Sequence, residues 1–398
     1  MNVEIKGSKI SGKISAIPSK SYAHRIAICN FLAGNEPLGN CKNFTSKDIT
    51  ATEECLKAVL SGKNTVDCGE SGSTLRFLLP LLAARGGTFN FIGHGKLMQR
   101  PNDELFAALE SHGVKVSKTD TITISGKLTS GEFKIRGDIS SQYITGLLVS
   151  LPTLIGDSEI ILTTPLVSAS YVDITLEVLS SYGIKILKTN TGYKVKGGQT
   201  YKGNVFPEGD WSNAAFFLVL GAVAGDVTVT GLNLKSVQGD REIINLLKLA
   251  GADVVEDERK IKITKSELSG FTFDAQNCPD LVPIAAVLAS NAKGKTVIKN
   301  VERLKIKESD RIESTIKMLS AFGISAQSDG KSLVVYGGEI KEGKVDSFND
   351  HRIVMSAAVL ATVAKGESEI IGAEAVNKSY PTFFEDFTKV GGKTVNGN

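Results

Sequence analysis

Lys307-Glu308-Ser309-Asp310-Arg311 sets two cations and two carboxylates directly ahead of an apolar stripe at Ile312, Ile316 and Leu319. Spacing of four and then three residues predicts a helix starting here, capped by Ser309 or Asp310. Its N-terminal end, with unpaired N–H groups and the positive end of the dipole, favours an anion. A solvated helix start would look much the same, so the run means little alone. Other stretches repeat the chemistry. Pro18-Ser19-Lys20-Ser21-Tyr22-Ala23-His24-Arg25 puts Lys20 and Arg25 about a turn apart beside hydroxyls, a pairing suited to phosphate or carboxylate. Gly69-Glu70-Ser71-Gly72-Ser73-Thr74-Leu75-Arg76 is a Gly/Ser turn entering a helix and could form an anion nest. Arg100-Pro101 follows a glycine-rich segment, Ser140-Ser141-Gln142 offers short neutral donors, and Ser168 and Tyr171 precede another helical stripe. Arg352, in Asp350-His351-Arg352, and Lys378, in Lys378-Ser379-Tyr380-Pro381, add two cations. Together these helix starts hold more cations and hydroxyls than capping requires, which implies two anionic groups as ligands.

The elements that position these residues are periodic. Helices that are apolar nearly all round, as in a buried core, open near Ser19, Ser71, Ser140, Asp210, Asp280 and Asp350. From Ser71 onward the intervals are 69, 70, 70 and 70 residues, whereas the first is a truncated 52. A second, amphipathic helix in each unit stops at glycine (Gly113, Gly183, Gly251, Gly323) and runs into a short strand. Each unit is therefore an α/β module, and six modules divide most simply three and three into two similar domains. A binding solenoid is an alternative, although seventy residues is long for that class.

Composition narrows the function. The 398 residues, 41% hydrophobic, suffice for about two domains. A net charge of +3, without basic runs interleaved with aromatics, does not suggest nucleic acid. Five cysteines (Cys29, Cys41, Cys55, Cys68, Cys278) show no C-x-x-C spacing, and the four histidines (His24, His94, His112, His351) show no ligand spacing. Neither a metal nor a disulfide framework is expected. The opening Met1-Asn2-Val3-Glu4-Ile5 alternates like a strand without a targeting signal, and no apolar run of about 18 residues offers a membrane span, so a cytoplasmic protein is expected. Gly7–Ile14 approaches a P-loop but lacks the final Ser/Thr, and its alternation predicts strand.

SKSYAHR, SGSTLR, Arg100-Pro101, SSQY, EGDWSNAAFF, Pro279-Asp280, KESDR, NDHR and KSYP together resemble, in order and over nearly the whole chain, the 5-enolpyruvylshikimate-3-phosphate synthases of the enolpyruvyl transferase family. The resemblance implies an α/β fold of two similar domains, each an inside-out α/β barrel of three repeated modules. The expected division is residues 1–18 with 209–398 and residues 19–208, with the active site in the cleft between them. It implies transfer of enolpyruvyl from phosphoenolpyruvate to the 5-hydroxyl of shikimate 3-phosphate through a tetrahedral intermediate, on the route to chorismate and aromatic amino acids. A monomer without cofactor, nucleic acid or membrane partner is expected. The family's shikimate-3-phosphate contacts fall on Lys20, Ser21, Arg25, Ser140, Ser141, Gln142, Ser168, Asp280 and Lys307. Its phosphoenolpyruvate contacts fall on Lys20, Gly72, Arg100, Gln142, Arg311, Arg352 and Lys378. Asp280 becomes the base at the 5-hydroxyl, Glu308 the acid at the donor's methylene carbon, and Lys20 serves the departing phosphate. Two departures stand out: Glu70-Ser71-Gly72-Ser73 replaces a common Asn-Ala-Gly-Thr, and Arg303 aligns with an asparagine that helps hold the sugar phosphate in some relatives. The alternatives are the sister transferase acting on UDP-N-acetylglucosamine and a non-enzymatic polyanion-binding repeat protein.

Overall fold

A computed structural model describes residues 1–39 and 46–397; Cys41 lies outside them. Twelve α-helices are described: α1 Lys20–Leu32, α2 Lys47–Leu60, α3 Gly72–Arg85, α4 Asp103–Glu110, α5 Ser141–Ser150, α6 Ala169–Ser181, α7 Trp211–Ala224, α8 Ile243–Leu249, α9 Val282–Ser290, α10 Arg311–Ala321, α11 His351–Val363 and α12 Phe383–Lys389. The chain divides into two compact units, Met1–Ser19 with Glu208–Asn398, and Lys20–Pro207.

One module recurs through both units: strand, buried helix, strand, amphipathic helix and two further strands. In the 20–207 unit, Thr65–Asp67, Gly87–Ile92, Ile122–Gly126 and Val114–Lys118 lie side by side in one sheet, and Glu132–Ile135, Ser158–Leu162, Gly192–Val195 and Ile186–Lys188 in another. The discontinuous unit has three such sheets. Their strands, in spatial order, are Ile10–Ser15, Gly225–Thr230, Lys260–Thr264 and Asp253–Asp257; Thr272–Asp274, Lys295–Lys299, Ser332–Tyr336 and Ala326–Ser328; and Lys344–Asp346, Glu367–Ile371, Asn2–Lys6 and Lys393–Gly397. In all five the first pair is parallel and the next two are antiparallel. A parallel pair needs a crossover, and the buried helices α3, α5, α9 and α11 supply it. The shortened first module has α1 and α2 but, among the described residues, no sheet of its own.

The helices expected to be buried are buried. Every residue of α9 is inaccessible, and α7 is buried from Trp211 to Val223 except Ser212. Helices α7, α9 and α11 pack on one another, so the all-round apolar pattern reflects a helix surrounded by protein. Ser71, Ser140, Asp210 and Asp350 cap α3, α5, α7 and α11 through side-chain oxygens that accept backbone N–H groups. At the other end of the module Gly113, Gly183, Gly251 and Gly323 all have φ between 76° and 90°, the left-handed conformation that stops a helix. The four described cysteines are buried and unpaired. No helix among the described residues is long and apolar enough to cross a membrane.

Gly225 shows how closely the module closes. It pairs with Ile10 at the start of the strand that bridges the two chain segments, and a Cβ there would stand 1.9 Å from the Ile10 carbonyl oxygen. Its φ of 179° suits any residue, so the constraint is purely steric. Gly225→Ala should cost about 1–3 kcal/mol, the usual cost of overpacking, read as a lower urea midpoint. Gly294, with φ of 94° and open space around it, should lose only about 1 kcal/mol on the same change, through backbone strain alone.

Candidate active site

In the discontinuous unit the site is built where three helices begin. Asp310 caps α10, its carboxylate accepting N–H groups from Ile312 at 3.1 Å and Glu313 at 3.2 Å. Arg311, the first helical residue, is thereby turned inward and is 1% exposed. Its Nε donates to Asp350 Oδ2 at 2.7 Å, its Nη1 to Asp280 Oδ1 at 2.8 Å, and its Nη2 to Glu308 Oε2 at 2.5 Å and Asp350 Oδ1 at 3.3 Å. Burial works against the guanidinium charge, but Asp350, Glu308 and Asp280 outweigh it and raise its pKa above the ordinary arginine value.

Asp350 is fully buried. It caps α11 through the Arg352 N–H at 3.0 Å and accepts the Ser309 hydroxyl at 3.0 Å. Asp280 stands at the equivalent point of its module and does something else. It lies in a single 3-10 turn, Pro279–Leu281, that has no side-chain cap. Its Oδ1 accepts from Arg311 and from Lys307 Nζ at 3.3 Å, and its Oδ2 accepts from Arg352 Nη2 at 2.9 Å. Burial lowers the Lys307 pKa, with Asp280 opposing the shift. The structure thus brings Asp280, Lys307, Glu308, Arg311 and Arg352 into one charge network, whereas Lys378 donates to the Asn349 carbonyl at 2.8 Å.

The other unit holds the remaining candidates. Lys20 opens α1 and pairs with Asp48 Oδ2 at 2.8 Å. One turn on, Arg25 is 3% exposed. It donates to Thr175 Oγ1 at 2.8 Å, Thr145 Oγ1 at 3.3 Å and the carbonyls of Ser21 at 2.6 Å and Tyr171 at 2.8 Å, with Phe77 beneath its guanidinium. These partners are neutral, and burial pushes the Arg25 pKa down to about 10. His24 is held neutral, its pKa lowered by burial and by the charges of Lys20 and Arg25.

Gly72 begins α3 against Arg100, whose Nη1 would lie 2.6 Å from an added Cβ. Ser140 caps α5 through the Gln142 N–H at 3.3 Å, leaving Ser141 in the first turn. The Gln142 side chain is fixed at both ends: Oε1 accepts from Arg76 Nη1 at 2.7 Å, and Nε2 donates to Ser73 Oγ at 2.9 Å. Ser168 precedes α6 with φ 53° and ψ 45°, a left-handed conformation that costs a serine about 1–2 kcal/mol. Strain of this kind, in a residue only 1% exposed, is common at ligand clamps.

Sequence reasoning missed several participants. Arg76 lay in a noted motif but received no role, yet it also donates to Asn102 Oδ1 at 2.9 Å and the Pro101 carbonyl at 3.0 Å. Asp350 was read only as a helix start and part of its motif, not as a partner of Arg311. Asp48 sits in an unremarkable capped helix start, where no local signal marks it as the partner of Lys20.

Removing Arg311 would strand Asp350 with an uncompensated buried charge. Arg311→Ala should therefore lose about 3–5 kcal/mol of stability, visible as a lower urea midpoint. A loss below about 1 kcal/mol would show that the network does not need its central cation.

Comparison with known proteins agrees with this architecture. A sequence profile for the family described as EPSP synthase (3-phosphoshikimate 1-carboxyvinyltransferase) matches residues 38–387. A protein named 3-phosphoshikimate 1-carboxyvinyltransferase from Clostridium kluyveri is 41% identical, with 98% of this chain and 97% of the relative covered. One of the same name from Clostridioides difficile is 38% identical, with 98% of each covered. Among solved structures, EPSP synthase from Acinetobacter baumannii superposes with a TM-score of 0.81 at 23% identity, covering 99% of this chain and all of the other. The enolpyruvyl transferase NikO from Streptomyces tendae reaches 0.79 at 16% identity, covering 99% and 98%. The structural likeness bears out the two-domain inside-out α/β fold expected from the sequence. With the profile spanning most of its length and relatives near 40% identity end to end, the chain belongs to the EPSP synthase family.

Proposed function

We propose that this protein transfers the enolpyruvyl group of phosphoenolpyruvate to the 5-hydroxyl of shikimate 3-phosphate, releasing phosphate, in the biosynthesis of aromatic amino acids. Family membership supports the reaction. One observation carries the catalytic assignment: at equivalent points of the repeat Asp210 and Asp350 cap their helices, whereas Asp280 does not and instead faces Lys307, Arg311 and Arg352.

In the proposed chemistry Asp280 accepts the proton of the 5-hydroxyl as its oxygen attacks C2 of phosphoenolpyruvate. Glu308 delivers a proton to C3. The resulting tetrahedral intermediate then loses a proton from C3 and expels phosphate, whose charge Lys20 meets. Arg25, buried among neutral partners, suits an anion such as the phosphate of the acceptor, with Ser21, Ser140, Ser141, Gln142, Ser168 and Lys307 completing its binding set. Arg100, Gly72, Arg352 and Lys378 serve the donor, and Arg311, whose donors already reach three carboxylates, contributes chiefly by fixing Asp280 and Glu308.

A coupled phosphate-release assay tests this reading. Phosphate should appear with phosphoenolpyruvate and shikimate 3-phosphate, and not with UDP-N-acetylglucosamine. Asp280→Asn and Glu308→Gln should each lose about 10²- to 10⁴-fold in kcat while still binding shikimate 3-phosphate. Near-normal turnover with a lower melting temperature would return both residues to purely structural roles.

All of the proposed acceptor set but Lys307 lies in one unit, whereas Lys307 and the acid–base pair lie in the other, so the proposal requires groups of both units to act on one substrate pair and close around it. Small-angle scattering should give the mass of one chain and a radius of gyration that shrinks when shikimate 3-phosphate and a donor analogue are added. An unchanged radius would argue against closure.

A further inference from the structure

Gln238 takes no part in the chemistry above, yet it sits beside both places where the chain leaves the discontinuous unit. Those places are Ser19–Lys20 and Pro207–Glu208. Just before them the two connections run antiparallel. Ser19 donates its N–H to the Glu208 carbonyl at 2.7 Å, Asp210 donates to the Ile17 carbonyl at 2.8 Å, and Pro18 pairs with Gly209. A two-stranded contact this short is weak by itself.

The Gln238 amide spans both strands. Its Oε1 accepts from the Ser19 hydroxyl and from the Trp211 N–H, each at 3.2 Å. Its Nε2 donates to Glu208 Oε1 at 2.7 Å and to the Gly209 carbonyl at 2.9 Å. Turned over, the amide would face donor with donor and acceptor with acceptor, so its partners fix its orientation. Gln238 is 6% exposed and Ser19 is fully buried, which keeps water from replacing these bonds.

Glu208 is gripped in turn. Its Oε1 also accepts the Ser236 hydroxyl, its Oε2 accepts from Asn233 Nδ2 at 2.8 Å, and Ser236 Oγ accepts the Gln238 N–H at 3.0 Å. The Asn233 carbonyl accepts Trp211 Nε1 at 3.1 Å, so the loop 233–238 ties both connections to the start of α7. On the far side of this clamp, Lys20 pairs with Asp48 of its own unit, and residues 196–207 form neither helix nor strand.

We propose that Gln238 is a positioning residue for the reaction: it makes the two connections one rigid ribbon, so that closure turns at Ser19–Lys20 and Pro207–Glu208 and carries Lys20 to one fixed place for the departing phosphate. Few dihedrals are then left to absorb the motion, and proline locks one of them. Without the clamp each connection flexes separately, and Lys20 arrives in a range of positions. Arg25, by contrast, is held by Thr145, Thr175 and Tyr171 within its own unit, so acceptor binding does not depend on the clamp. The inference rests on the closure put forward above.

Two measurements on the whole enzyme test it. In the first, Gln238→Glu keeps an oxygen for Ser19 and Trp211 but sets a carboxylate against Glu208, where the amide donates. At about pH 8, where both carboxyls ionise, kcat should fall about tenfold, read at a temperature where circular dichroism shows the variant fully folded. The Kd for shikimate 3-phosphate alone should stay within about threefold of the parent. Adding Glu208→Gln supplies a donor from the other side and should recover most of the loss. A normal kcat in Gln238→Glu, or a loss that Glu208→Gln leaves unrepaired, overturns the proposal. The second needs no variant: amide hydrogen exchange of the parent is compared with and without shikimate 3-phosphate and a donor analogue. The Ser19, Asp210 and Trp211 amides should be equally protected in both states, while those of residues 201–206 change. Clamp amides that exchange freely until the ligands are added would show that no rigid ribbon exists. Scattering keeps the two readings apart. A radius of gyration that does not shrink refutes closure and the proposal with it, whereas one that shrinks while the clamp amides exchange freely refutes the role of Gln238 alone.

Discussion

A guanidinium taken out of water must have its donors met, and Arg311 is held by three carboxylates at once. That requirement organises the discontinuous unit. Asp350 can reach Arg311 only because α11 starts beside α10, and Asp280 only because its turn leaves its own helix uncapped. Lys307 and Arg352 then gather on Asp280 as neighbours of the same network. The ion pairs add little net stability after desolvation, but a single geometry satisfies them all, so they fix where the acidic and basic groups point. A buried charge network of this kind acts as a jig for side chains.

The modular repeat makes such a network possible without special local structure. Each module brings a helix start with a short polar side chain to a similar place, and ordinarily that side chain caps. Three aspartates spaced by 70 residues show how a function can arise from such a plan: two remain caps and one gives up capping for cations. In the other unit Ser71 and Ser140 likewise cap, while Gln142 and Arg76 lock each other in place. The first module, without a sheet of its own among the described residues, still packs α1 and α2 on α6 and α3.

Local patterns reached the helices but not their long-range partners. The all-apolar stretch from Trp211 to Val223 and the glycine stops at Gly113, Gly183, Gly251 and Gly323 could be read directly, since period and turn chemistry are local. Sheet order could not: nothing in Asn2–Lys6 says that it lies between Glu367–Ile371 and Lys393–Gly397. At the site, the cations of Lys307–Arg311 were visible as a run, yet the meaning of Arg311 depended on Asp350, 39 residues away, and Asp48 gave no sign of meeting Lys20.

The strand pairing has a consequence for how the chain comes to be folded. Asn2 faces Ile371 and Ile10 faces Gly225, so the first nineteen residues cannot find their sheets until the polypeptide far beyond them exists. During synthesis the Lys20–Pro207 unit has all its own strands available first and can condense while the N-terminal strands wait with unpaired edges. Closing a loop of some two hundred residues adds little more entropy than closing one of a hundred, but it delays the search. The parallel register at Ile10–Ser15, which joins the earliest segment to the first strand after the inserted unit, is therefore a natural point at which the two segments of the discontinuous unit come together.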